Sequence, residues 1–198
     1  MLKVAVLVSG GGTNLQAIID GVQNKTIKNT QLVLVVSNVA GAYALQRAEK
    51  HNIPSAVLRK KDFETLELWE EALTQILEEK QVDLIVLAGF MSILSEKFTH
   101  RFENRIINVH PSLIPSFCGA GFYGLNVHKA VLEKGVKVTG ATVHYVNGQV
   151  DGGKIIAQKA VEVAEGDTPE TLQKRVMEQA EWIILPKAID DIARKERP

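Results

Sequence analysis

The strongest constraint on the fold is a series of short, largely apolar runs that alternate with segments of helical periodicity. Four of the runs are rich in Val, Ile and Leu and lie at residues 4–8, 32–36, 83–88 and 106–110. Strands that are apolar on both faces are typical of a parallel sheet covered by helices on each side. The alternation therefore predicts an α/β fold with a mostly parallel central sheet and helices on both faces.

Three helices and a short strand are predicted between these runs. The first helix follows residue 12, the second covers Ala42–Lys50, and a long amphipathic third covers Asp62–Lys80. Asp62 is the predicted N-cap of the third helix, because its carboxylate can accept hydrogen bonds from free backbone N–H groups. A short strand is expected at residues 55–58, so the first half repeats a strand–helix unit.

The pattern changes in the second half of the chain. An irregular segment rich in Gly and Pro covers residues 111–124, and a helix is predicted over 126–134. Two strand patterns, Thr139–Val146 and Lys154–Val163, then flank the turn-rich residues 147–153. Two strands joined by such a link predict a hairpin-like, antiparallel portion at the C-terminal side of the sheet.

The last predicted element is a terminal helix. Thr168 is a good N-cap, and Pro169 suits the first helical position because its missing N–H has no partner there anyway. We expect this helix to run through Trp182 and to break at Pro186. The sequence contains no repeat, linker or low-complexity segment, so we expect one domain over residues 1–198.

Composition excludes several classes of function. Lys and Arg total 23, as do Asp and Glu, and a net charge of zero does not favour a nucleic-acid partner. The only compact basic run, Arg59–Lys61, is a solvated loop or a patch that attracts an anionic ligand. Cys118 is the single cysteine, which fits a reducing cytoplasm. The longest apolar segment, Leu84–Met91, is too short to span a membrane.

A glycine-rich loop, Ser9–Asn14, joins the first strand to the first helix. Glycines expose backbone N–H groups, and the helix N-terminus adds partial positive charge, so the loop can cradle an anion. Leu15 stands where a dinucleotide fingerprint has its third glycine, and the lysine of a nucleoside triphosphate loop is absent. The loop therefore favours a single phosphate, with a tight turn as the purely structural alternative.

Asn108 and His110 are the first candidates for catalysis. They are two residues apart at the end of a predicted strand, so both side chains project from one face. His110 titrates near neutral pH, although a histidine at a strand end is more often structural. Asp151 lies in the turn-rich link, where an Asp is usually only a turn residue. If it lies beside His110, its charge is expected to raise the imidazole pKa above about 6.5.

The apolar residues that follow the third long run form another candidate site. Gly89 ends the strand, and the loop continues through Met91–Leu94. Such a loop can line a pocket for a flat heterocycle, or it can simply pack on the core. No cluster of His, Cys, Asp and Glu has the spacing of a metal site, so no metal is expected.

Taken together, these motifs resemble the phosphoribosylglycinamide formyltransferase family of folate-dependent formyltransferases. The resemblance covers essentially the whole chain and implies a Rossmann-like formyltransferase fold. The N-terminal half would bind the phosphate, and the C-terminal half would bind the folate and carry catalysis. The segments that support it are Ser9–Asn14, Leu87–Leu94, Asn108–Pro115, Thr142–Val146 and Val150–Gly153.

The resemblance implies transfer of a formyl group from 10-formyltetrahydrofolate, the co-substrate, to the amine of phosphoribosylglycinamide in de novo purine synthesis. His110 would act as the acid–base group, and Asn108 with protonated His110 would donate hydrogen bonds to the developing oxyanion. Asp151 would keep His110 charged. His144 also matches the family pattern and is interpreted as a structural residue near the site.

Binding residues are likewise implied by similarity. Gly12, Thr13 and Asn14 would bind the substrate phosphate, and Glu181 would bind the ribose hydroxyls. Ala180 is a rival for the ribose, because the terminal helix is one residue longer than the family pattern. A homodimer is compatible with the resemblance. The residues expected around the pterin are Met91, Ser92, Ile93, Leu94 and Asn108.

Three alternatives remain at this point. Methionyl-tRNA formyltransferase is a sibling enzyme that would need an RNA-binding domain and a basic surface. A formyltetrahydrofolate hydrolase would use water in place of the amine. A non-catalytic phosphate-binding module would use the glycine loop at Gly12–Asn14 without any dependence on His110.

Overall fold

The computed structural model describes residues 1–196 and confirms the predicted architecture. Seven strands form one sheet in the order β3-β2-β1-β4-β5-β6-β7. The five strands from β3 to β5 are parallel, whereas β6 pairs antiparallel with both β5 and β7. The strands are β1 (Leu2–Val8), β2 (Thr30–Ser37), β3 (Ser55–Val57), β4 (Leu84–Leu87), β5 (Ile106–His110), β6 (Val138–Tyr145) and β7 (Ile155–Glu162).

Helices cover the sheet on both faces. Five of them, α1, α2, α5, α6 and α7, contribute to a core on one face, and α3 and α4 contribute to a core on the other. Among residues 1–196, no helix combines the length and apolar character needed to cross a bilayer. The helices are α1 (Thr13–Gln23), α2 (Tyr43–Lys50), α3 (Leu66–Glu79), α4 (Glu96–Arg101), α5 (Leu125–Lys134), α6 (Pro169–Val176) and α7 (Trp182–Glu196).

The central strand β1 explains why the apolar runs are uninterrupted. Val4, Val6 and Val8 belong to the core beneath α1, whereas Ala5 and Leu7 belong to the core beneath α3. Successive side chains of a strand point to opposite faces, so a strand with a core on each side needs apolar residues at every position.

The predicted start of the third helix is wrong. Residues Lys60–Asp62 form a separate 3-10 turn, and α3 begins at Leu66. The Thr65 hydroxyl, not Asp62, accepts the capping hydrogen bond, from the Leu68 N–H at 3.2 Å. The carboxylate of Asp62 instead accepts a hydrogen bond from Arg59 Nε at 2.6 Å, so it is occupied within its own turn.

The short helix α4 was not predicted, because six residues are too few to show a periodicity. Its N-cap is Ser95, whose Oγ accepts from the Phe98 N–H at 3.1 Å. The buried carboxylate of Glu70 on α3 accepts from both the backbone N–H and the hydroxyl of Ser95, at 2.6 and 2.5 Å. This contact fixes the end of the apolar loop that follows β4.

The terminal helix is interrupted at a different place from the one predicted. Thr168 caps α6 as expected, but a π turn at Met177–Glu181 separates α6 from α7. A π turn accommodates an additional residue within a helix. Pro186 lies inside α7, which continues past it because residues such as Leu185 and Ile189 are fully buried and outweigh one lost backbone hydrogen bond.

Candidate active site

Strand β5 positions the first two candidate residues. Ile107 and Val109 point into the core beneath α1, so Asn108 and His110 project from the opposite face of the sheet, as their spacing predicted. His110 is the last residue of β5. β4 pairs parallel with β5, and β1 pairs parallel with β4 on its other side, so the loops that follow the three strands lie at one edge of the sheet.

His110 contacts two segments that are distant in sequence. Its Nδ1 lies 3.6 Å from Asp151 Oδ2, so the structure brings the imidazole and the carboxylate together. Its Nε2 lies 2.9 Å from the backbone oxygen of Phe117. A carbonyl oxygen can only accept, so Nε2 carries the proton and donates it to Phe117. With only 4% of its surface exposed, His110 is enclosed by these partners.

The expectation that the His110 pKa lies above 6.5 is wrong. Burial lowers the pKa of His110 below 6.5, and the nearby His144 lowers it further. The hydrogen bond to Phe117 and the charge of Asp151 act in the opposite direction but do not compensate for burial. The imidazole is therefore neutral at neutral pH, because desolvation penalises its charged form.

His144 belongs to the same cluster. It lies opposite Asn108 in the β5–β6 register, and its Nε2 is 3.2 Å from Asn108 Nδ2 and 3.6 Å from Asp151 Oδ1. Its Nδ1 donates to the backbone oxygen of Tyr145 at 2.8 Å, which fixes the ring so that Nε2 faces the Asn108 amide. His144 thus fixes the orientation of the Asn108 amide.

Asp151 is held as an ionised acceptor. Burial raises the pKa of Asp151, but the proximity of His144, the hydrogen bond from the Gly119 N–H and the proximity of His110 together bring it below its ordinary value. The Gly119 N–H donates to Oδ2 at 2.8 Å. Asp151 therefore supplies a permanent negative charge between the two imidazoles.

Phe117 and Asp151, the two residues that contact His110, share an unusual backbone conformation. Their φ angles are 50° and 54°, in the left-handed region that residues other than glycine seldom adopt. Each costs about 1–2 kcal/mol, so the surrounding contacts must stabilise both conformations. Backbone strain of this kind concentrates at functional sites.

Hydrogen bonds to β6 hold the irregular segment 111–124, which brings Phe117 to His110. Thr142 Oγ1 donates to the Ser112 carbonyl at 2.7 Å and accepts from the Ile114 N–H at 3.1 Å. The sequence predicted that this segment is irregular, but not that its carbonyl and amide groups would contact the candidate residues.

The glycine loop is fixed by α2. Gly12 has a φ of 70° and precedes the first residue of α1, where no side chain caps the free N–H groups. The Ala44 N–H donates to the Gly10 carbonyl at 3.1 Å, and Arg47 Nε donates to the Gly11 carbonyl at 2.8 Å. The loop carbonyls thus face α2, which leaves the N–H groups at the start of α1 to an anion. Arg47 was not identified from the sequence.

Asn14 and Glu181 face each other in the interior. Asn14 Nδ2 donates to Glu181 Oε2 at 2.6 Å, so the Asn14 side chain points away from the loop surface. Burial raises the pKa of Glu181 to about 7, although the hydrogen bond from Asn14 lowers it. Ala180 is packed in the core. The π turn places Glu181, not Ala180, against the first turn of α1. Thr13 Oγ1 contacts the sulfur of Met177.

The apolar loop after β4 exposes two large side chains. Met91 is 56% exposed and Ile93 is 68% exposed, whereas Leu94 is buried in the core. The Met91 N–H donates to Ser9 Oγ at 2.8 Å, and Ser92 Oγ accepts from Asn38 Nδ2 at 2.9 Å. The loop therefore offers an apolar surface directly beside the glycine loop.

Within residues 1–196, no group of three or more His, Cys, Asp or Glu side chains could hold a metal ion.

Known proteins are similar to this chain in both sequence and fold. Phosphoribosylglycinamide formyltransferase of Haemophilus influenzae is 44% identical over 96% of this chain and 86% of its own length. Trifunctional purine biosynthetic protein adenosine-3 of Gallus gallus is 50% identical over 97% of this chain, which spans 18% of that protein. The crystal structure of glycinamide ribonucleotide transformylase 1 from Symbiobacterium toebii matches with a TM-score of 0.92 and 40% identity, covering 98% of this chain and 89% of that one.

The similarity also extends to a family model. The model described as formyl transferase matches residues 2–189, which is nearly the whole of the chain. The chain therefore belongs to the formyl transferase family.

Proposed function

We propose that this chain transfers the formyl group of 10-formyltetrahydrofolate to the amine of phosphoribosylglycinamide, a step of de novo purine synthesis. The observation that carries the proposal is the meeting of Asn108 and His110 of β5 with His144 of β6 and with Asp151. The names of the Haemophilus influenzae and Symbiobacterium toebii proteins support the same activity. The glycine loop, at the same edge of the sheet as this cluster, supports a substrate that carries a phosphate.

The reaction moves one proton along with the formyl group. The amine nitrogen attacks the formyl carbon, a C–N bond forms, and the carbonyl oxygen becomes an oxyanion. The bond between the formyl carbon and N10 then breaks. The amine loses a proton and N10 gains one, so no net proton is consumed and no metal ion is needed in this scheme.

His110 is the proposed carrier of that proton. It is neutral before reaction, because burial keeps its pKa below 6.5, so it can accept the proton from the amine. The imidazolium that forms lies 3.6 Å from the Asp151 carboxylate, which stabilises its charge. It then donates the proton to N10. The initial role of His110 is thus that of a base, and its role as an acid follows.

Asn108 is the proposed oxyanion donor. His144 orients its amide, and one such donor is typically worth about 3 kcal/mol of the barrier. For Nε2 to accept the amine proton, the segment 111–124 must move and the ring proton must shift from Nε2 to Nδ1, which faces the Asp151 carboxylate, because Nε2 donates to the Phe117 carbonyl in the present conformation. Hydrogen bonds of a catalytic group often rearrange when substrate binds.

The remaining residues are proposed to position the two substrates. Backbone N–H groups of Gly12, Thr13 and Asn14 would bind the phosphate, and Glu181 would bind the ribose hydroxyls. The pterin of the co-substrate would lie against the loop Met91–Leu94 and near Asn108, through apolar contact and backbone groups. We propose the cytoplasm as the compartment, and neither a nucleic acid nor a membrane as a partner.

Purified protein with both substrates tests the proposal. We expect tetrahydrofolate and formylated phosphoribosylglycinamide to appear in equal amounts. Release of formate without the formylated amine would instead identify a formyltetrahydrofolate hydrolase. Phosphate binding without any turnover would identify a binding module. Sedimentation of the same sample would show whether the active species is a homodimer.

A further inference from the structure

Gly153 precedes β7 and lies against the backbone carbonyl of Tyr145, at the end of β6. A Cβ built on Gly153 would overlap the Tyr145 carbonyl oxygen and would lie 2.7 Å from the carbonyl carbon. The φ of Gly153 is not positive, so its φ does not demand a glycine. Lack of space, and not backbone conformation, therefore excludes a side chain at this position.

The Tyr145 carbonyl is part of the candidate active site, because it accepts the Nδ1 hydrogen bond of His144 at 2.8 Å. The other ring nitrogen of His144, Nε2, lies 3.2 Å from Asn108 Nδ2 and 3.6 Å from Asp151 Oδ1. A ring that is held at one nitrogen presents the other in a fixed direction. The position of this carbonyl therefore decides where Nε2 meets the amide and the carboxylate.

A β-bulge lies next to the same histidine. The register between β6 and β7 shifts by one residue at His144, where Ile156 is an additional residue on β7. Bulges bend a strand, and they are common beside active sites, where they change the direction of a side chain. Beyond the bulge, the Tyr145 N–H donates to the Lys154 carbonyl at 2.9 Å. This pairing holds the neighbouring Gly153 over the Tyr145 carbonyl.

We infer that Gly153 is a positioning residue of the proposed catalytic site, which acts through the Tyr145 carbonyl on His144. A side chain at position 153 would displace the carbonyl and release the Nδ1 hydrogen bond. The ring of His144 would then no longer orient the Asn108 amide. The expected effect on turnover rests on the proposed function, whereas the expected effect on the histidine ring does not.

Close packing of β7 on β6 is the alternative role of this glycine. A Cβ on Gly140 of β6 would likewise overlap a backbone carbonyl oxygen, that of Lys159 on β7. Of the two glycines, only Gly153 faces the carbonyl that binds His144. Gly140→Ala is therefore a control with comparable steric damage to the pair of strands, at a site away from Tyr145.

Proton–nitrogen NMR spectra of the His144 ring test the inference without turnover. The wild type should show a slowly exchanging proton on Nδ1, because a buried hydrogen bond protects it. Gly153→Ala should lose this signal, whereas Gly140→Ala should keep it, although both variants should be less stable. A signal retained in folded Gly153→Ala would overturn the inference. A wild type without a proton on Nδ1 of His144 would overturn it even if Gly153→Ala fails to fold.

A double-mutant cycle locates the effect in catalysis. Gly153→Ala should lower kcat about tenfold, as the loss of one orienting hydrogen bond would, and should leave both KM values unchanged. In a His144→Ala background it should change kcat by less than about twofold, because the ring through which it acts is gone. An equal loss in both backgrounds would overturn the inference.

Gly148→Ala is the control for the turn that precedes β7. The nearest atoms to its Cβ belong to the flexible side chain of Glu96, at 3.0 Å, so its kcat should be normal. A tenfold loss in this variant as well would assign the effect to the turn as a whole and contradict a specific role of Gly153. Loss of the Nδ1 signal in Gly153→Ala, in a protein that has no transferase activity, would reject the proposed function alone.

Discussion

The glycine loop works through its backbone, whereas the proposed catalytic cluster works through side chains. In the loop, Gly12 provides a left-handed turn, and α2 binds the loop carbonyls. In the cluster, the buried side chains of His110, His144 and Asp151 depend on each other for charge and orientation. A backbone site can be recognised from a few adjacent residues, whereas a side-chain cluster depends on contacts between segments that are far apart in sequence.

The largest expected effect is a loss of turnover when side chains of the cluster, not of the glycine loop, are replaced. His110→Ala removes the proton carrier and Asp151→Asn removes its charged partner, so each should reduce kcat by at least about a hundredfold. The KM of phosphoribosylglycinamide should change little. His100→Ala, at an exposed position of α4, is the matched control and should be nearly normal. Steady-state kinetics with both substrates measure these effects, and near-normal kcat in both variants would reject the assigned roles.

The pH profile of Asp151→Asn sharpens this prediction. The charge of Asp151 acts to raise the pKa of His110, so its removal should lower that pKa further. The acid limb of the residual kcat profile should therefore move to lower pH. An unchanged acid limb would show that the carboxylate contributes only to the structure of the site.

The next effect tests the backbone character of the loop. A Cβ on Gly12 would lie 2.6 Å from the Ala44 Cβ and 2.9 Å from its Cα, at a φ that disfavours side chains. Gly12→Ala should therefore lower the free energy of unfolding by about 3 kcal/mol. Gly11→Ala is the control, since no atom lies within 4 Å of its Cβ. Urea unfolding compares them, and equal stability of the two variants would contradict the role of Gly12.

The next prediction concerns Glu181, the buried acid beside the glycine loop, and the pH dependence of the free energy of unfolding. Burial raises the pKa of Glu181 from its reference value of 4.5 to about 7 in the folded protein. As the pH rises, the unfolded chain therefore loses the carboxyl proton before the folded protein does. The free energy of unfolding should thus fall between about pH 4.5 and 7, by roughly 3 kcal/mol from this group. Glu181→Gln should lack this decrease, and the exposed control Glu178→Gln should keep it. Identical pH profiles of wild type and Glu181→Gln would refute the assignment.

The smallest predicted effect is on binding through Arg47. Arg47→Met frees the Gly11 carbonyl, so the KM of phosphoribosylglycinamide should rise about fivefold, the equivalent of about 1 kcal/mol or one typical net hydrogen bond. The kcat and the KM of the folate should not change, and Arg47→Lys should restore part of the loss. Lys50→Met, on the exposed end of α2, is the control. A fall in kcat with unchanged KM would contradict a loop-positioning role.

Local patterns predicted most of the fold but not the ends of its elements. The apolar runs identified the buried strands because a strand between two cores needs apolar residues at every position. Asp62 was a plausible cap that the chain uses to pair with Arg59 instead. Pro186 was a plausible helix break, but burial of α7 outweighs its effect. In each case, a tertiary contact decided between local alternatives.

The sequence predicted which residue types form the candidate site, but it did not predict their backbone contacts or the direction of the His110 pKa. Asn108, His110 and Asp151 were named from motifs, but the contacts from Phe117 and Gly119 are made by backbone atoms, which leave no signature in the sequence. The direction of the His110 pKa was wrong because the extent of burial cannot be judged from residue spacing.

The hydrogen bond between His110 and the Phe117 carbonyl has a consequence for the competing hydrolysis of the formyl donor. An activated formyl donor is vulnerable to any base that bulk water can reach. At rest, the Nε2 that contacts Phe117 carries a proton and cannot act as a base toward a solvent molecule, and burial keeps other solvent away. If the proposed mechanism holds, hydrolysis of the formyl donor should be slow until the acceptor amine binds.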